Sequence, residues 1–436
     1  MKNLFYASGA RMLQLLNGVL IISFSAIFLT KANQGLLLTL NSIAAVQIFF
    51  ELGFSSVILQ YVGHERQKIS FDKKDGFSGP SENLQRLSNI YNLARAWFSW
   101  GALGCSIFLI IAGSIFFFDE SIDNSVWFIP LLGMSIGIPL SLYSQRFWVV
   151  YEGFGHIERV YQLRACAAIL SCLLIVLCFY LGFGLMAPII SPICFFIFSQ
   201  ILKFNNLNFW KSFFKINEKN SDQKKIFKEI LFLQSKVAIS WLSGFFMFQS
   251  VTPIIYKFGT PENAAVVGVG MSAILILNGL LGTLVQTKVP KLIGLISSKK
   301  LEEYFNYGRR LLLLTVFAAI FFSILGGLFI LFLNIMKIHW LSDRLPNIQT
   351  YALFMLAATI NQIISTQATL TRLFKAEPYL LHSIIVAIST VLIMFFSAKL
   401  GVEKVSLYYF LITLMISLPS STLIFTKQKR KRLSQC

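Results

Sequence analysis

The sequence is poor in charged residues. Only 13% of its 436 residues are Asp, Glu, Lys or Arg, whereas 56% are hydrophobic and 43 are Phe. Soluble domains contain about a quarter charged residues, so the composition argues against a soluble globular protein and indicates an integral membrane protein. The formal charge of +19 has to be placed relative to a bilayer before it indicates a partner. We expect membrane lipids as contacts and no nucleic acid.

Cysteine and histidine are also scarce. The six cysteines form no CxxC pair and most of them fall in apolar runs, so we interpret them as small buried side chains. The four histidines are scattered along the chain. There is no nucleophile elbow and no Gly-rich phosphate loop followed by lysine. We therefore predict no metal, no cofactor and no covalent catalysis.

Apolar runs near the ~20 residues that cross a bilayer recur along the chain. They predict an all-α polytopic membrane protein with about twelve spans. The predicted spans are 9–30, 36–62, 91–118, 126–150, 161–183, 185–204, 230–256, 264–288, 308–334, 349–371, 379–400 and 404–426.

One long polar interval, Lys203 to Lys236, separates two apolar blocks of similar length. It divides the chain into a six-helix lobe at 1–204, a basic linker at 205–229, a second six-helix lobe at 230–426 and a basic tail at 427–436. With twelve spans, all but six of the 38 lysines and arginines fall on one side of the membrane. The positive-inside rule makes that side cytoplasmic, and both termini with it.

Glu51 is the clearest ionisable residue inside a predicted span, because it lies near the middle of span 36–62. Carboxylates at such positions are costly and often functional. One interpretation is a cavity carboxylate that pairs with a cation or exchanges a proton. The other is a helix-packing site, in which Glu51 bonds to a neighbouring helix and Gly53 allows close approach.

Several cations lie within about two turns of the predicted cytoplasmic ends of spans. Arg11, in the first span, suits an anionic group such as phosphate. Similar positions are occupied by Arg95, Arg146, Arg164, Lys236, Lys288 and Arg372. Snorkelling to lipid headgroups explains Arg11 equally well, and it is the favoured explanation for each of the others taken singly. Together they would line a positively charged mouth between the two lobes.

Other local features are predicted with less detail. The interval His64 to Ile90 is rich in turn-forming residues and favours turns over a packed element. Candidate helix bends are Gly153, Gly155, Pro253 and the pair Gly326–Gly327. Polar residues deep in the spans, among them Asn361, Gln362 and Gln367, either bind sugar hydroxyls or pack between helices.

Three local patterns carry a resemblance to a known family. They are Phe50-Glu51-Leu52-Gly53-Phe54, Tyr151-Glu152-Gly153-Phe154-Gly155 and Val289-Pro290-Lys291-Leu292. With the twelve spans and the long middle loop, the chain resembles the polysaccharide (O-antigen or capsule) flippases of the multidrug/oligosaccharidyl-lipid/polysaccharide exporter superfamily. Glu51 stands where that family more often has Asp.

The resemblance implies a MATE-like pair of lobes in the bacterial inner membrane. It implies a transporter that moves undecaprenyl-pyrophosphate-linked oligosaccharide units across the membrane by alternating access, for use in O-antigen or capsule synthesis. A polysaccharide polymerase and chain-length proteins would be its partners. The pyrophosphate headgroup would meet Arg11, Arg146, Lys236 or Lys288, and Glu51 would be the coupling or cavity carboxylate.

Three alternatives stay open. A cation-coupled multidrug antiporter of the same superfamily should carry several carboxylates within its N-terminal spans, whereas only Glu51 is clearly placed so here. A membrane polymerase or ligase of lipid-linked glycans normally needs a large outer loop, which the predicted topology lacks. A lipid II flippase would differ only in its cargo.

Overall fold

The structure is a computed structural model that describes residues 2–72, 74, 76–118, 124–216, 238–338, 342–374 and 378–434. Most of these residues are helical. In the first half of the chain the elements are α1 (Lys2–Phe28), α2 (Lys31–Ala44), α3 (Gln47–Glu51), α4 (Phe54–Glu65), β1 (Ser70–Asp72), β2 (Gly76–Ser78), α5 (Ser81–Phe117), α6 (Asn124–Gly153), α7 (Ile157–Tyr180), α8 (Ala187–Asn205) and α9 (Leu207–Lys215).

The second half continues as helices. They are α10 (Ala238–Phe248), α11 (Val251–Phe258), α12 (Pro261–Ser297), α13 (Leu301–Ile335), α14 (Ile348–Arg372), α15 (Leu380–Ser397), α16 (Val402–Leu411) and α17 (Leu418–Leu433), with a π-helical segment, Ile412–Ser417, between the last two. Over the described ranges, eleven helical segments are long and apolar enough to cross a membrane, or twelve if α10 and α11 form one bent span. The predicted all-α polytopic fold is confirmed.

Backbone contacts divide the chain into two compact units. Unit 1 consists of Met1–Asn17 and Ala44–Leu242, and unit 2 consists of Gly18–Ile43 and Ser243–Cys436. Helix α1 therefore contributes its first part to unit 1 and its second part to unit 2, and nearly all of α2 belongs to unit 2. The lobes predicted at 1–204 and 230–426 were drawn from span counting alone and stay predictions, as do the inner membrane and the cytoplasmic termini.

In unit 1, the predicted continuous span around Glu51 is wrong, because the helix is interrupted twice. Helix α2 ends at Ala44, α3 contains only five residues, and α4 begins at Phe54. Leu52 (φ 51°) and Gly53 (φ 71°) both adopt left-handed backbone conformations between α3 and α4. Left-handed residues cannot continue a right-handed helix, so Glu51 lies at a helix end and not within a continuous helix.

A small hairpin follows α4, where turns alone were expected. Strands β1 and β2 pair in antiparallel register, with Phe71 opposite Phe77. Both rings pack against Phe209 of α9, with centroid distances of 5.1 and 5.2 Å, and Phe77 also packs against Phe213. The hairpin is therefore a packed element, anchored to α9 by edge-to-face aromatic contacts.

Unit 2 shows ordinary helix-start chemistry at two of its long helices. Thr260 and Asn347 cap α12 and α14, because their side-chain oxygens accept hydrogen bonds from backbone N–H groups in the first turn of each helix.

Helices α10 and α11 meet at a 43° bend just before Pro253. Helix α13 runs unbroken through Gly326–Gly327, where the absence of a side chain at Gly326 leaves room for the Tyr351 hydroxyl. That pair therefore serves packing and does not interrupt the helix.

Candidate functional site

The broken helix of unit 1 places a carboxylate beside a hydroxyl. Ser55 Oγ, in the first turn of α4, donates a hydrogen bond of 2.6 Å to Glu51 Oε1 at the end of α3. The bond spans the two left-handed residues that separate the helices. The carboxylate is thus held at the end of the candidate membrane span Lys31–Glu51, where left-handed residues separate α3 from α4.

The break also frees backbone carbonyls, which need donors inside a membrane. The indole Nε1 of Trp97 in α5 donates to the carbonyl oxygen of Phe50 at 3.1 Å. Gly101 of α5 makes this approach possible, because an added Cβ would lie 3.2 Å from the Phe50 oxygen. At Gly104 an added Cβ would lie 3.0 Å from the Phe50 ring. Helix α5 therefore supports the break with a donor and two small residues.

A second polar group of unit 1 joins α6 to α7. Arg164 Nη2 lies 3.5 Å from Glu152 Oε2, and both side chains are mostly buried. The hydroxyl of Tyr161, one turn before Arg164 on α7, donates to Glu152 Oε1 at 2.9 Å. The guanidinium also lies over the rings of Trp148 and Phe195, at 5.4 and 5.7 Å from their centroids. The Nε of Arg164 is buried and donates no hydrogen bond.

Electrostatic interactions connect the Glu51–Ser55 pair with the group of Glu152, Tyr161 and Arg164. The charge of Arg164 acts on Glu51, and the charge of Arg11 acts on Tyr161. Arg11 is exposed, and no carboxylate of the described residues forms an ion pair with it. We call Arg11, Glu51, Glu152, Tyr161 and Arg164 the Glu51–Arg164 cluster. It contains two cations and two carboxylates, and only Arg164 and Glu152 form a direct ion pair.

Arg146 lies in a different group, on α6 against α5. Its Nη1 donates to Ser99 Oγ at 3.3 Å, and its guanidinium stacks 3.7 Å from the centroid of the Tyr143 ring. The positive charge of Arg95 on α5 also acts on Arg146. We call these four residues the Arg146 group. Within the described part of unit 1, no hydrogen bond or ion pair joins Arg146 to a member of the Glu51–Arg164 cluster, so the predicted site residues are divided between two groups.

The two remaining predicted cations are Lys236 and Lys288. Lys236 lies outside the described residues, together with most of the predicted basic linker. Lys288 lies on α12 in unit 2 and is exposed. The roles predicted for both stay predictions.

Sequence reasoning placed Arg164 only among several interfacial cations and gave Glu152 and Tyr161 no role. Two features of the sequence were relevant to these residues. Tyr161 and Arg164 are three residues apart, which places them on one face of a helix. Glu152 belongs to the Tyr-Glu-Gly-Phe-Gly pattern that carried the family resemblance. Neither feature indicates that the two faces meet, because that depends on how α6 and α7 pack.

Unit 2 contains an apolar cavity of about 260 Å³. Its lining includes Val19, Ile22, Ala273, Ile276, Phe322 and Met355. The Tyr351 ring also faces the cavity, and its hydroxyl donates to the Ser323 carbonyl at 3.0 Å. A cavity with this lining suits a hydrocarbon chain better than a polar solute.

The deep polar residues of unit 2 bond mainly to neighbouring helices. Gln367 Oε1 accepts a hydrogen bond from Ser421 Oγ at 2.8 Å, and the Tyr409 hydroxyl bonds to Asn361. Gln362 Nε2 donates to an oxygen one turn further along its own helix. Of the two interpretations of these residues, helix packing accounts for Gln367 and Asn361.

Comparison with known proteins finds similarity in structure but not in sequence. The sequence matches no protein-family profile and no curated protein. Its fold is similar to that of the Vibrio cholerae MATE transporter VcmN, solved in a mutant form, with a TM-score of 0.65 at 13% identity, covering 99% of this chain and 97% of the other.

Two further solved structures extend the likeness. A multidrug resistance MATE family transporter of the MOP superfamily, in an outward-facing conformation, has a TM-score of 0.59 at 12% identity, over 98% of this chain and 96% of that one. A MOP superfamily transporter from Pyrococcus furiosus has a TM-score of 0.61 at 13% identity, over 99% and 96%. Its binding pocket is described as having reverse polarity, which suggests a different function for that protein. The chain thus has the fold of the MATE transporters along nearly its whole length.

Proposed function

We propose that this protein is a membrane transporter that moves an amphiphile with an anionic headgroup across the bilayer by alternating access. The fold supports transport as the general activity, because solved MATE and MOP transporters share it over nearly the whole chain. The interruption at Leu52–Gly53 follows the candidate span Lys31–Glu51 and places a carboxylate beside irregular backbone, which transporters use at binding sites.

One observation supports the anionic cargo. In the Glu51–Arg164 cluster, Arg11 forms no ion pair with a carboxylate of the described residues, and the buried Nε of Arg164 donates no hydrogen bond. Glu152 already accepts a hydrogen bond from Tyr161 and pairs with Arg164. Cations inside the membrane are costly unless an anion compensates them, and a phosphate or diphosphate headgroup would do so through paired hydrogen bonds.

Within unit 2, the apolar cavity independently supports a cargo that has a hydrocarbon part. Its lining of aliphatic and aromatic side chains offers space for part of a hydrocarbon tail. The undecaprenyl-pyrophosphate-linked oligosaccharide predicted from the sequence is a cargo of this class. Arg11 and Arg164 would then contact the diphosphate.

The comparisons by themselves support a second candidate at least as well. Two of the similar structures are of multidrug resistance MATE family transporters, and a cation-coupled antiporter would use Glu51, hydrogen-bonded to Ser55, as its coupling carboxylate. The similar structures described above are transporters and give no support to a membrane polymerase or ligase. The two transport candidates differ in the charge of the cargo, so one experiment separates them.

The test is translocation in proteoliposomes that contain the purified full-length protein. One arm follows a fluorescent, prenyl-diphosphate-linked saccharide, and the other follows ethidium under an imposed sodium or proton gradient. The proposal predicts rapid translocation of the diphosphate lipid, about tenfold slower in Arg11→Ala and Arg164→Gln, because each loses a charge-assisted hydrogen bond.

Arg159→Ala is the matched control, since Arg159 is an exposed arginine of the same unit. It should leave the rate unchanged. Gradient-driven ethidium transport that depends on Glu51, without translocation of the diphosphate lipid, would favour the multidrug transporter and overturn the proposal.

A further inference from the structure

Arg146 of α6 is a buried cation without a paired anion. The residue is 6% exposed, and no carboxylate of the described residues forms an ion pair with it. Its Nη1 donates a hydrogen bond of 3.3 Å to Ser99, and the Tyr143 hydroxyl provides a second partner, while the buried Nε donates none. A buried guanidinium is stable only when acceptors or an opposite charge replace its lost hydration. These two neutral hydroxyls leave the charge itself uncompensated.

The surroundings of Arg146 add positive charge. Its guanidinium lies 4.6 Å from the centroid of the Phe147 ring, and Lys203 Nζ lies 5.6 Å from the same centroid. Arg95 of α5 is close enough for its charge to act on Arg146. The rings of Tyr143 and Phe147 offset part of the cost through cation–π contacts. An aromatic face, however, gives no in-plane acceptor to the Nε.

We propose that Arg146, with Arg95 and Lys203 beside it, forms a binding site for the phosphate group of a membrane lipid. The phosphate oxygens accept hydrogen bonds from the guanidinium of Arg146, and their negative charge compensates that of Arg146. Guanidinium groups bind phosphate in this bidentate way. The site is separate from the Glu51–Arg164 cluster and does not depend on which cargo the protein transports.

The position of Arg146 favours a lipid phosphate over free inorganic phosphate. Arg146 lies within the candidate span Asn124–Gly153. It is seven residues from the end of α6, about 10 Å along the helix axis. A lipid headgroup reaches this depth at the edge of the hydrocarbon layer, whereas a free aqueous anion would have to leave water. Arg95 is exposed on α5, where its charge attracts the headgroup toward the site.

The experiment counts lipids bound to the purified full-length protein by native mass spectrometry, after reconstitution with phosphatidylglycerol and stepwise delipidation. The wild type should keep one phosphatidylglycerol molecule that resists removal. Arg146→Gln should bind it about tenfold more weakly, because a charge-assisted contact is lost. Arg146→Lys should bind with intermediate strength, and Arg159→Gln, which removes an exposed arginine of the same unit, should match the wild type.

Arg95→Gln keeps the test decisive if Arg146→Gln fails to accumulate, since Arg95 is exposed and its replacement leaves the buried side chains in place. It should also weaken lipid retention. Equal retention in wild type, Arg146→Gln and Arg95→Gln would overturn the proposal, as would a loss of the same size in Arg159→Gln.

A competition arm identifies the source of the phosphate. Geranyl diphosphate is added to the wild type loaded with phosphatidylglycerol. Displacement of the retained lipid assigns the site to the path of a diphosphate cargo. Simultaneous binding of both assigns it to a resident phospholipid. Both results support a lipid-phosphate site at Arg146, whereas the proposed transport function is tested separately by translocation.

Discussion

Ser55 Oγ and Glu51 Oε1 are joined by a hydrogen bond of 2.6 Å across the break between α3 and α4. The bond fixes the carboxylate to the start of α4, and the positive charge of Arg164 acts on the same carboxylate. Its importance can be measured with Ser55→Ala and Glu51→Gln.

We expect Glu51→Gln to slow transport by about tenfold or more if Glu51 must change its protonation or exchange a bound cation. Ser55→Ala should have a smaller effect, because it removes one hydrogen bond, worth about 1 kcal/mol, but keeps the charge. Transport rates in proteoliposomes give the comparison. Wild-type rates in Glu51→Gln would show that Glu51 is a packing residue.

Gly53 provides a direct test of the break itself. Its φ of 71° is in the left-handed region, where a side chain costs about 1 kcal/mol or more. Gly53→Ala should therefore lower the free energy of unfolding in detergent by about that amount. Gly63→Ala is the matched control, because Gly63 lies inside α4 and an added Cβ there meets only an ordinary contact of 3.7 Å. Equal stability of the two variants would contradict the left-handed conformation at Gly53.

The ion pair of Arg164 and Glu152 can be tested by a double-mutant cycle. Arg164→Gln and Glu152→Gln should each destabilise the protein, and the double variant should be less destabilised than the sum of the two. The expected coupling energy is about 1 kcal/mol, a typical size for partly buried polar contacts in membrane proteins. Chemical unfolding in mixed micelles gives the three differences. Strict additivity would mean that the two side chains do not interact.

The cavity of unit 2 makes a prediction about cargo tails. Ala273 contributes to its lining, so Ala273→Phe should fill much of the cavity and slow transport of long-chain cargo several-fold. Ile320→Phe enlarges an exposed apolar side chain of the same unit and serves as the control. Protein levels in the membrane should be unchanged in both variants. Equal transport by the two would exclude the cavity from the cargo path.

The sequence predicted the spans well, because an apolar run of about 20 residues has few other stable forms in a membrane. The predicted span 349–371, for example, corresponds to the helix Ile348–Arg372. The break beside Glu51 could not be predicted. A leucine in the left-handed conformation is locally unfavourable, and it is compensated by Trp97, whose indole bonds to Phe50 from a helix 47 residues further along the chain.

The polar clusters and the hairpin were missed for the same reason. Glu152 and Arg164 are adjacent only because α6 and α7 pack with these faces together. Phe71 and Phe77 form a stable hairpin only because Phe209, far along the chain, packs against both rings. The sequence identified which residues were costly to place in a membrane. Tertiary packing determined which of them meet.

The central claim is that the cargo carries negative charge, and the most direct measurement is equilibrium binding of two amphiphiles of opposite charge. Purified protein is titrated with farnesyl diphosphate and with tetraphenylphosphonium at the same ionic strength. The account predicts saturable binding of farnesyl diphosphate that weakens about tenfold in Arg11→Ala and Arg164→Gln, and no saturable binding of the cation. Saturable binding of tetraphenylphosphonium that depends on Glu51, with none of farnesyl diphosphate, would contradict it.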